Sequence, residues 1–585
     1  MEEATRDAGP RAGCRRALVL GGNGFIGFHV VAALVAAGHR VVCVNRGNRY
    51  WTDAEPRVGY DVPGGGEEPP VVSVVRCDRK NRAAFERAVD AATSSLCPSG
   101  GGSDPGVDGD GAVTMEVDGV DRKEHDGEEQ EHWWDVVVDL SGITPGDLRA
   151  ALRGLKGRTR TYVYISSDSV YEVSVGDSSG PVSDMSASVE SSAVRPADVS
   201  VATRLARDDR YGHHKLRCEE ILEAAGRCRS ERRRPEGPPD LSSDSSGSES
   251  ASGMSWSGSP EESDTDTSGE EGDTGGDDDD DGGRVGGGGD AGAVDDGVDD
   301  EDLVPVRWVA LRLPDVIGPR DSTNRLWRYQ LWTQCGDVLG PVAVEPALSR
   351  AGMRRLSFVY APDVARAVLA VARGGAAGGG SVSGAGGEAP SEMKGGRAYN
   401  IACRERVSLE ELVELIADVD VVRETAHRSG APVVVIDDDH HRLHARKRRR
   451  SSQSFEEAAT AAAVEDNETV RLELHRSERL SLQCHARRKP PSFLPSVDRG
   501  PVDTTRALRE LDWEPTPLAT AVRETVRWFH AAAAARSGGG RHPHEEECRE
   551  VARELRRAFG LRPGSHAAVA LQKRLTELGF PSPRR

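Results

Sequence analysis

The chain has 585 residues, 29% of them charged, and a formal net charge of −20 at pH 7, so it is long enough for more than one domain. Residues 236–302 hold 23 Asp and Glu against one Arg, and residues 104–131 add a net charge of −9. Segments of this composition cannot bury a core, and without them the remainder carries about +11. That charge suits an anionic ligand but is spread too thinly to indicate nucleic acid.

The cysteine pattern and the hydropathy indicate the compartment. Ten cysteines are scattered through the chain without CxxC or metal-ligand spacing, which predicts reduced thiols and no metal site. The N-terminus lacks an apolar stretch of signal-peptide length, and no segment reaches the roughly 18 uncharged apolar residues needed to cross a bilayer. We therefore expect a cytoplasmic protein with no membrane contact.

In chain order, short apolar runs alternate with amphipathic runs. The pattern predicts strands at residues 16–20, 40–44, 71–76, 134–140, 161–165 and 307–311, and helices at residues 25–37, 81–92, 147–155, 361–373 and 408–418. Alternating strands and helices indicate an α/β fold with a doubly wound parallel sheet of the Rossmann type.

Composition shifts divide the chain into four parts. The first is a Rossmann domain at 16–225, with disordered insertions at about 47–70, 93–131 and 173–207. A disordered acidic insertion follows at 226–303. The third part, at 304–530, contains the end of the Rossmann domain and a smaller substrate-binding region, with loops at about 374–396 and 437–500, and the fourth is a helical C-terminal tail at 540–585. The aromatic residues Trp327, Tyr329 and Trp332 either pack in the core of the substrate-binding region or line its pocket.

A glycine-rich turn joins the first predicted strand to the first predicted helix. Gly21 and Gly24 permit a tight turn and close approach to a diphosphate at the helix N-terminus, and Gly27 permits close helix packing. We assign the whole turn to dinucleotide binding: Gly21, Gly22, Asn23, Gly24, Phe25, Ile26 and Gly27.

The ends of the next strands complete the predicted cofactor site. The second strand ends in Asn45 and Arg46 instead of the acidic residue typical of NAD sites. Arg46 either pairs with a 2′-phosphate, which favours NADP over NAD, or is a solvated loop residue. Asp78 either contacts the adenine or caps a helix. Leu140, the last residue of the fourth predicted strand, is also assigned to the cofactor site.

A second motif places Tyr211 and Lys215 one helical turn apart. On one helix face, the ammonium can lower the pKa of the phenol and reach the nicotinamide ribose. Upstream, Ser166 and Ser167 stand at the end of a predicted parallel strand, the edge at which open α/β sheets bind ligands.

With these motifs, the sequence resembles the extended short-chain dehydrogenase/reductases, which include nucleotide-sugar epimerases and dehydratases. The resemblance covers the glycine turn, the SSDSVY strand end, YGHHK, LRLP with VIGP, and AYNI, in family order. The resemblance implies that Ser167, Tyr211 and Lys215 are catalytic and that Tyr211 acts as the acid and base. It also implies that the substrate is similar to a nucleotide sugar. The resemblance does not decide whether the protein forms a homodimer, or whether it is an epimerase or a reductase.

The sequence also departs from this family. Its dehydratases carry an Asp-Glu pair after the catalytic hydroxyl residue, but here Asp168 is followed by Ser169, which argues against dehydration. The Asn-Arg-Gly after the second strand resembles atypical relatives, including chloroplast stem-loop RNA-binding proteins. The alternative function is therefore a non-catalytic Rossmann protein that binds RNA or another protein.

Overall fold

A computed structural model describes residues 15–46, 72–94, 134–174, 187–232, 306–352, 354–376, 396–425, 433–435, 491–494, 500–535 and 542–581. Apart from Arg232, these residues all lie in one compact unit. The predicted insertion at 47–70 lies outside the described residues, as do residues 233–303 of the one predicted at 226–303 and residues 437–490 of the loop predicted at 437–500. The insertion predicted at 226–303 starts too early, because a helix continues to Arg232.

The centre of the molecule is a seven-stranded sheet. Its strands are β1 (Arg15–Leu20), β2 (His39–Asn45), β3 (Val72–Arg76), β4 (Val136–Asp139), β5 (Tyr162–Ser167), β6 (Trp308–Leu313) and β10 (Arg397–Asn400). They lie in the order β3-β2-β1-β4-β5-β6-β10, and every neighbouring pair is parallel. The order runs outward in both directions from β1, which confirms the doubly wound Rossmann-type sheet.

Helices cover both faces of this sheet. They are α1 (Phe25–Ala36), α2 (Arg82–Ser94), α3 (Pro145–Leu155), α5 (Arg210–Arg232) and α8 (Ala361–Ala376), while α4 (Val199–Asp208) precedes α5 and has no buried side chain. On one face α1 packs against α8, and on the other α2 packs against α3. Each face of the sheet has its own buried apolar cluster, as expected when parallel strands are covered on both sides.

The C-terminal region is mostly helical. Its helices are α6 (Arg325–Gln334), α7 (Gly336–Leu339), α9 (Leu409–Ala417), α10 (Asp420–Thr425), α11 (Thr505–Glu510), α12 (Leu518–Ala534), α13 (Glu545–Ala558) and α14 (His566–Glu577). Two small parallel sheets pair β7 (Asp315–Ile317) with β9 (Phe358–Tyr360), and β8 (Val342–Val344) with β11 (Val433–Val435).

The third apolar cluster lies in this C-terminal region. Trp327, Tyr329 and Trp332 on α6 are at most 1% exposed, and Trp327 stacks on Phe529 of α12 with ring centroids 4.9 Å apart. These aromatic residues therefore pack in the core. The predicted C-terminal tail forms α13 and α14, which bury Leu555 and other apolar residues in the same cluster.

One predicted insertion is partly wrong. Residues 173–207 were expected to be disordered, but the part from residue 187 onward contains a 3-10 turn and α4. Asp198 caps α4 by accepting hydrogen bonds from two backbone amides, and Leu205 packs on a small cluster with Val170 and Leu216. In the described part of the chain, no helix is long and apolar enough to cross a membrane.

Candidate functional site

The glycine turn between β1 and α1 is tightly closed by backbone hydrogen bonds. Gly21 has φ +94°, a left-handed conformation that glycine adopts freely, and its amide donates to Val44 O at 2.9 Å. The Gly24 amide donates back to Gly21 O at 3.1 Å. Gly24 is the N-cap of α1 and has no side chain to cap the helix, so the helix N-terminus remains available to an anion.

Two glycines of this turn have no room for a side chain. A Cβ on Gly27 would lie 2.3 Å from Gly21 O, and one on Gly22 would lie 2.7 Å from Cys43 Sγ. The turn is therefore held against the first turn of α1 and the end of β2. The close backbone packing is the arrangement that a diphosphate cradle requires.

The ends of β2 and β3 border the turn. Asn45 is buried and accepts a hydrogen bond from Asn23 Nδ2 at 2.9 Å, which fixes β2 to the glycine turn. Arg46, the next residue, is exposed. Asp78 is exposed and accepts from the Lys80 amide at 3.0 Å, whereas Asn81 accepts from the Ala84 amide in the first turn of α2. Asn81 therefore makes the side-chain contact expected of a helix cap.

A buried ion pair lies on the other side of the turn, at the end of β4. Arg79 donates to both carboxylate oxygens of Asp139, at 2.6 and 2.7 Å. Burial opposes ionisation of Asp139, yet the charge and hydrogen bonds of Arg79 hold its pKa below the usual value. The sequence interpretation missed this pair, although an Asp that ends the apolar run VVVD was a visible signal.

The ion pair organises the loop that follows β4. Asp139 Oδ1 accepts from the amides of Ser141 and Gly142, and Asp139 Oδ2 accepts from Tyr162 OH at 2.6 Å. Burial and the negative charge of Asp139 raise the pKa of Tyr162 well above its usual value, so this phenol remains a donor. The ordered loop touches the glycine turn, since a Cβ on Gly21 would lie 3.1 Å from Ser141 Cβ and 3.6 Å from Leu140 Cβ.

Lys215 connects this loop to β5. Its ammonium donates to Gly142 O and to Ile165 O, both at 2.8 Å. The same nitrogen lies 4.7 Å from the ring centroid of Tyr164 and 5.7 Å from that of Tyr211. Because the side chain is buried, the pKa of Lys215 is lowered to about 8.

Tyr211 stands in the first turn of α5 and is 44% exposed. The next residue, Gly212, brings α5 close to the end of β5, because a Cβ there would lie 2.3 Å from Ser169 O. The Gly212 amide is held by Asp209 Oδ1 at 2.9 Å. This close approach places Tyr211 beside the serine-rich end of β5, with its ring open to a ligand.

Ser167 is the last residue of β5 and is buried. Its hydroxyl caps the 3-10 turn Asp168–Tyr171 by accepting from the Ser169 amide at 3.2 Å. It also lies 3.1 Å from Asp168 Oδ1 and 3.0 Å from Ser169 Oγ. The position of the predicted family Glu is thus occupied by a buried serine bonded to Ser167.

A second buried network anchors α5 behind these residues. Glu219, one turn after Lys215, forms a bidentate pair with Arg312 of β6, with its shortest contact at 2.6 Å. Glu219 also accepts from Ser166 Oγ at 2.6 Å, and Arg312 donates to Tyr171 OH at 3.1 Å. The sequence interpretation also missed this network, which joins residues 93 positions apart.

The structure therefore brings most predicted site residues to one edge of the sheet. The glycine turn, Leu140 and Lys215 are linked through the loop after β4, and Tyr211 and Ser167 are linked through Gly212 and Ser169. Arg46 and Asp78 follow β2 and β3 at the same carboxyl edge, on the opposite side of β1 from β5. Among the described residues, no group of three His, Cys, Asp or Glu is arranged to hold a metal ion.

Comparison with known proteins adds a family and a set of similar structures. The family model described as "NAD dependent epimerase/dehydratase family" matches residues 17–97. The chain is similar to a UDP-glucose-4-epimerase from Stenotrophomonas maltophila with bound NAD and formylated UDP-arabinopyranose (14% identity, 88% of this chain and 98% of that chain, TM-score 0.42). It is also similar to a dTDP-glucose 4,6-dehydratase from Bacillus anthracis in complex with NAD (12% identity, 88% and 96%, TM-score 0.41). A search of curated protein sequences finds no significant match.

Proposed function

We propose that the chain is an NAD(P)-dependent oxidoreductase that transfers hydride to or from a hydroxyl or carbonyl substrate, and the match of residues 17–97 to the NAD dependent epimerase/dehydratase family model supports this. One observation carries the proposal. Lys215 donates to Gly142 O, in the loop that touches the glycine turn. The glycine turn and the Tyr-Lys pair are therefore joined through one loop at the same edge of the sheet, which supports a site for the two ends of a dinucleotide.

The residues of the turn fit the cofactor. Gly22 and Gly27 leave only backbone at the N-terminus of α1, where the diphosphate would be held by amides. Leu140 and Asn45 would border it on the two sides of β1. When bound, the nicotinamide would accept a hydride from the substrate carbon or return one to it.

The chain itself would handle the proton. Tyr211 would take a proton from the substrate hydroxyl, or give it back, at its phenolic oxygen. The Lys215 ammonium, 5.7 Å from the Tyr211 ring centroid, would stabilise negative charge that develops on the phenolic oxygen during proton transfer. The Ser167 hydroxyl, held at the end of β5, would orient the substrate oxygen.

We propose NADP(H) in preference to NAD(H), because Arg46 is exposed at the end of β2, where a 2′-phosphate would lie. Titration of the protein with NADPH and NADH tests this choice. Arg46→Ala should weaken NADPH binding about tenfold and leave NADH binding nearly unchanged. If NADH binds the wild type at least as tightly as NADPH, Arg46 has no such role.

The substrate class is proposed from the family and from the acid-base residues present. A nucleotide sugar is the family's type of substrate, and Ser169 provides no second carboxylate for elimination. Epimerisation or reduction is therefore favoured over dehydration. Steady consumption of NADPH with a carbonyl substrate would identify a reductase, whereas interconversion of two sugars without net redox change would identify an epimerase.

The decisive experiment combines binding and turnover. Tyr211→Phe should lower turnover about 10²- to 10⁴-fold and leave dinucleotide affinity nearly unchanged. Tyr399→Phe is a matched control, since its hydroxyl bonds to Glu510 at the far edge of the sheet. Failure of purified protein to bind either dinucleotide, together with tight binding of RNA, would replace the enzyme by a Rossmann-fold binding protein.

A further inference from the structure

Helices α13 and α14 have buried inner faces and a shared outer surface. Val551 and Leu555 of α13, and Leu571 and Leu575 of α14, are at most 1% exposed in the C-terminal core. The packing is thus part of the folded unit, and the outer faces are held at fixed positions. A surface feature formed between these faces is therefore a stable part of the fold.

A groove of about 700 Å³ lies between the two outer faces. All of its charged lining residues are basic: Arg553, Arg556 and Arg557 come from α13, and Lys573 comes from α14. Arg556 donates to Gln572 Oε1 at 3.3 Å. Within the described part of the chain, none of the other three cations has a carboxylate at salt-bridge distance, so the groove carries an uncompensated positive charge.

Part of the groove is apolar. Leu561, Ala568 and Val569 line it beside the cations, and Val569 is 61% exposed, one of the few large exposed hydrophobic side chains among the described residues. An occupant that combines an anionic group with an apolar or aromatic part would satisfy both surfaces. Arginine favours phosphate and carboxylate because its planar fork binds two oxygens together.

Size distinguishes a small ligand from a polymer. The volume falls within the roughly 300 to 1,000 Å³ typical of small-molecule sites. The described lining contains no aromatic side chain on which the bases of a single-stranded nucleic acid would stack. Both observations favour a compact organic anion.

We propose that the groove between α13 and α14 binds a small organic phosphate of the nucleotide class, separately from the dinucleotide crevice. The phosphates pair with Arg553, Arg557 and Lys573, and the organic part covers Val569. This site does not depend on the proposed function, because it lies on other elements than the glycine turn and Tyr211.

Calorimetric titration of the full chain with ATP and with inorganic pyrophosphate tests the site. Arg557→Glu should weaken ATP binding at least about tenfold, because it removes one phosphate contact and repels the ligand. Arg87→Glu is the matched control, because Arg87 is also exposed on a helix and its replacement changes the net charge by the same amount. Val569→Ser should weaken ATP about threefold but leave pyrophosphate unchanged, since only ATP covers the apolar surface.

Thermal melting and NADPH titration of the same variants distinguish this site from the crevice. The melting temperature and the NADPH affinity of each variant should match those of the wild type. Arg553→Gln and Lys573→Gln are milder substitutions that replace Arg557→Glu if that variant does not fold. Equal ATP affinity in wild type and all three basic-groove variants would place ATP elsewhere and overturn the proposal. Absence of ATP binding, or binding of an acidic peptide or RNA that ATP does not displace, would overturn it as well.

Discussion

Arg79 and Asp139, 60 positions apart, form a bidentate ion pair at the carboxyl end of β4, with Asp139 fully buried. Asp139 in turn holds the amides of Ser141 and Gly142, and Gly142 O accepts from Lys215. The pair therefore links the fold to the candidate site, because the loop that it orders contacts both the glycine turn and the predicted catalytic lysine.

Replacing Arg79 should be strongly destabilising. In Arg79→Leu, Asp139 would remain buried without its cation, and removal of one partner of a buried pair costs about 3–5 kcal/mol. Urea denaturation measures the change in the free energy of unfolding. Arg153→Leu is the control, because its pair with Glu86 is about one-third exposed on both sides and should cost less than about 1 kcal/mol.

The same pair predicts a dependence of stability on acid pH. The pKa of Asp139 is lowered in the folded state, so its contribution is complete above the unfolded pKa of an aspartate, about 3.9, and is lost as the pH falls toward the folded value. Asp139→Asn cannot make this contribution. The stability difference between wild type and variant should therefore shrink as the pH falls below about 4, and a constant difference would contradict the assigned role of the charge.

The local parts of the fold could be predicted from the sequence. The bounds of β1, α1 and β2 differ from the predicted ones by at most one residue, because apolar periodicity and the glycine turn are local signals. The pairing of Arg79 with Asp139, and that of Glu219 with Arg312, depends on which strands become neighbours. No local pattern specifies such contacts, so they emerged only from the structure.

Gly27 allows a sharper test of the glycine turn. Gly27→Ala would place a methyl group 2.3 Å from Gly21 O, so the turn must open and dinucleotide affinity should fall about tenfold or more. Gly374→Ala is the matched control, since no atom lies within 4 Å of the position that the added Cβ would occupy. In the helix α8 that change should stabilise the protein by about 0.5–1 kcal/mol without altering binding. Equal dinucleotide binding by both variants would contradict the cradle.

The partly wrong insertion has a physical reason. Val201, Ala202, Leu205 and Ala206 of α4 recur at the spacing of one helix face, but this short pattern stands in a segment whose overall composition, rich in Gly, Pro, Ser and acidic residues, suggested a loop. Its order comes from the Asp198 cap and from Arg195, which bonds to Glu220 and His213 of α5. These are contacts across the fold, and composition alone suggested a loop.

Glu219 is expected to act as a positioning residue. It fixes α5 to β5 and β6 through Ser166 and Arg312, and so sets where Tyr211 and Lys215 stand. Glu219→Gln keeps the size but weakens the pair, and a small displacement of Tyr211 should lower kcat about 10- to 100-fold with little change in KM or dinucleotide affinity. Glu219→Asp, which retains the charge, should recover part of the rate. Equal losses in the two variants would indicate a structural role only.

The lowered pKa of Lys215 predicts a loss of activity at alkaline pH. Burial lowers it to about 8, so the ammonium beside Tyr211 loses its proton as the pH rises through that value. Without the positive charge the phenolate is no longer favoured, and kcat should fall with an apparent pKa near 8. In Lys215→Arg, the guanidinium stays charged and the alkaline fall should disappear, even if the overall rate is lower.

The pH dependence of the free energy of unfolding distinguishes deprotonation of Lys215 from unfolding as the cause of the activity loss. Between pH 8 and the ordinary lysine value of 10.5, the unfolded chain binds more protons at this residue than the folded chain. The contribution of Lys215 to the free energy of unfolding therefore rises with pH in that window, while the activity falls. Activity profiles and urea denaturation of wild type and Lys215→Arg at the same pH values measure both. An alkaline fall in kcat that persists unchanged in the arginine variant would assign it to another group.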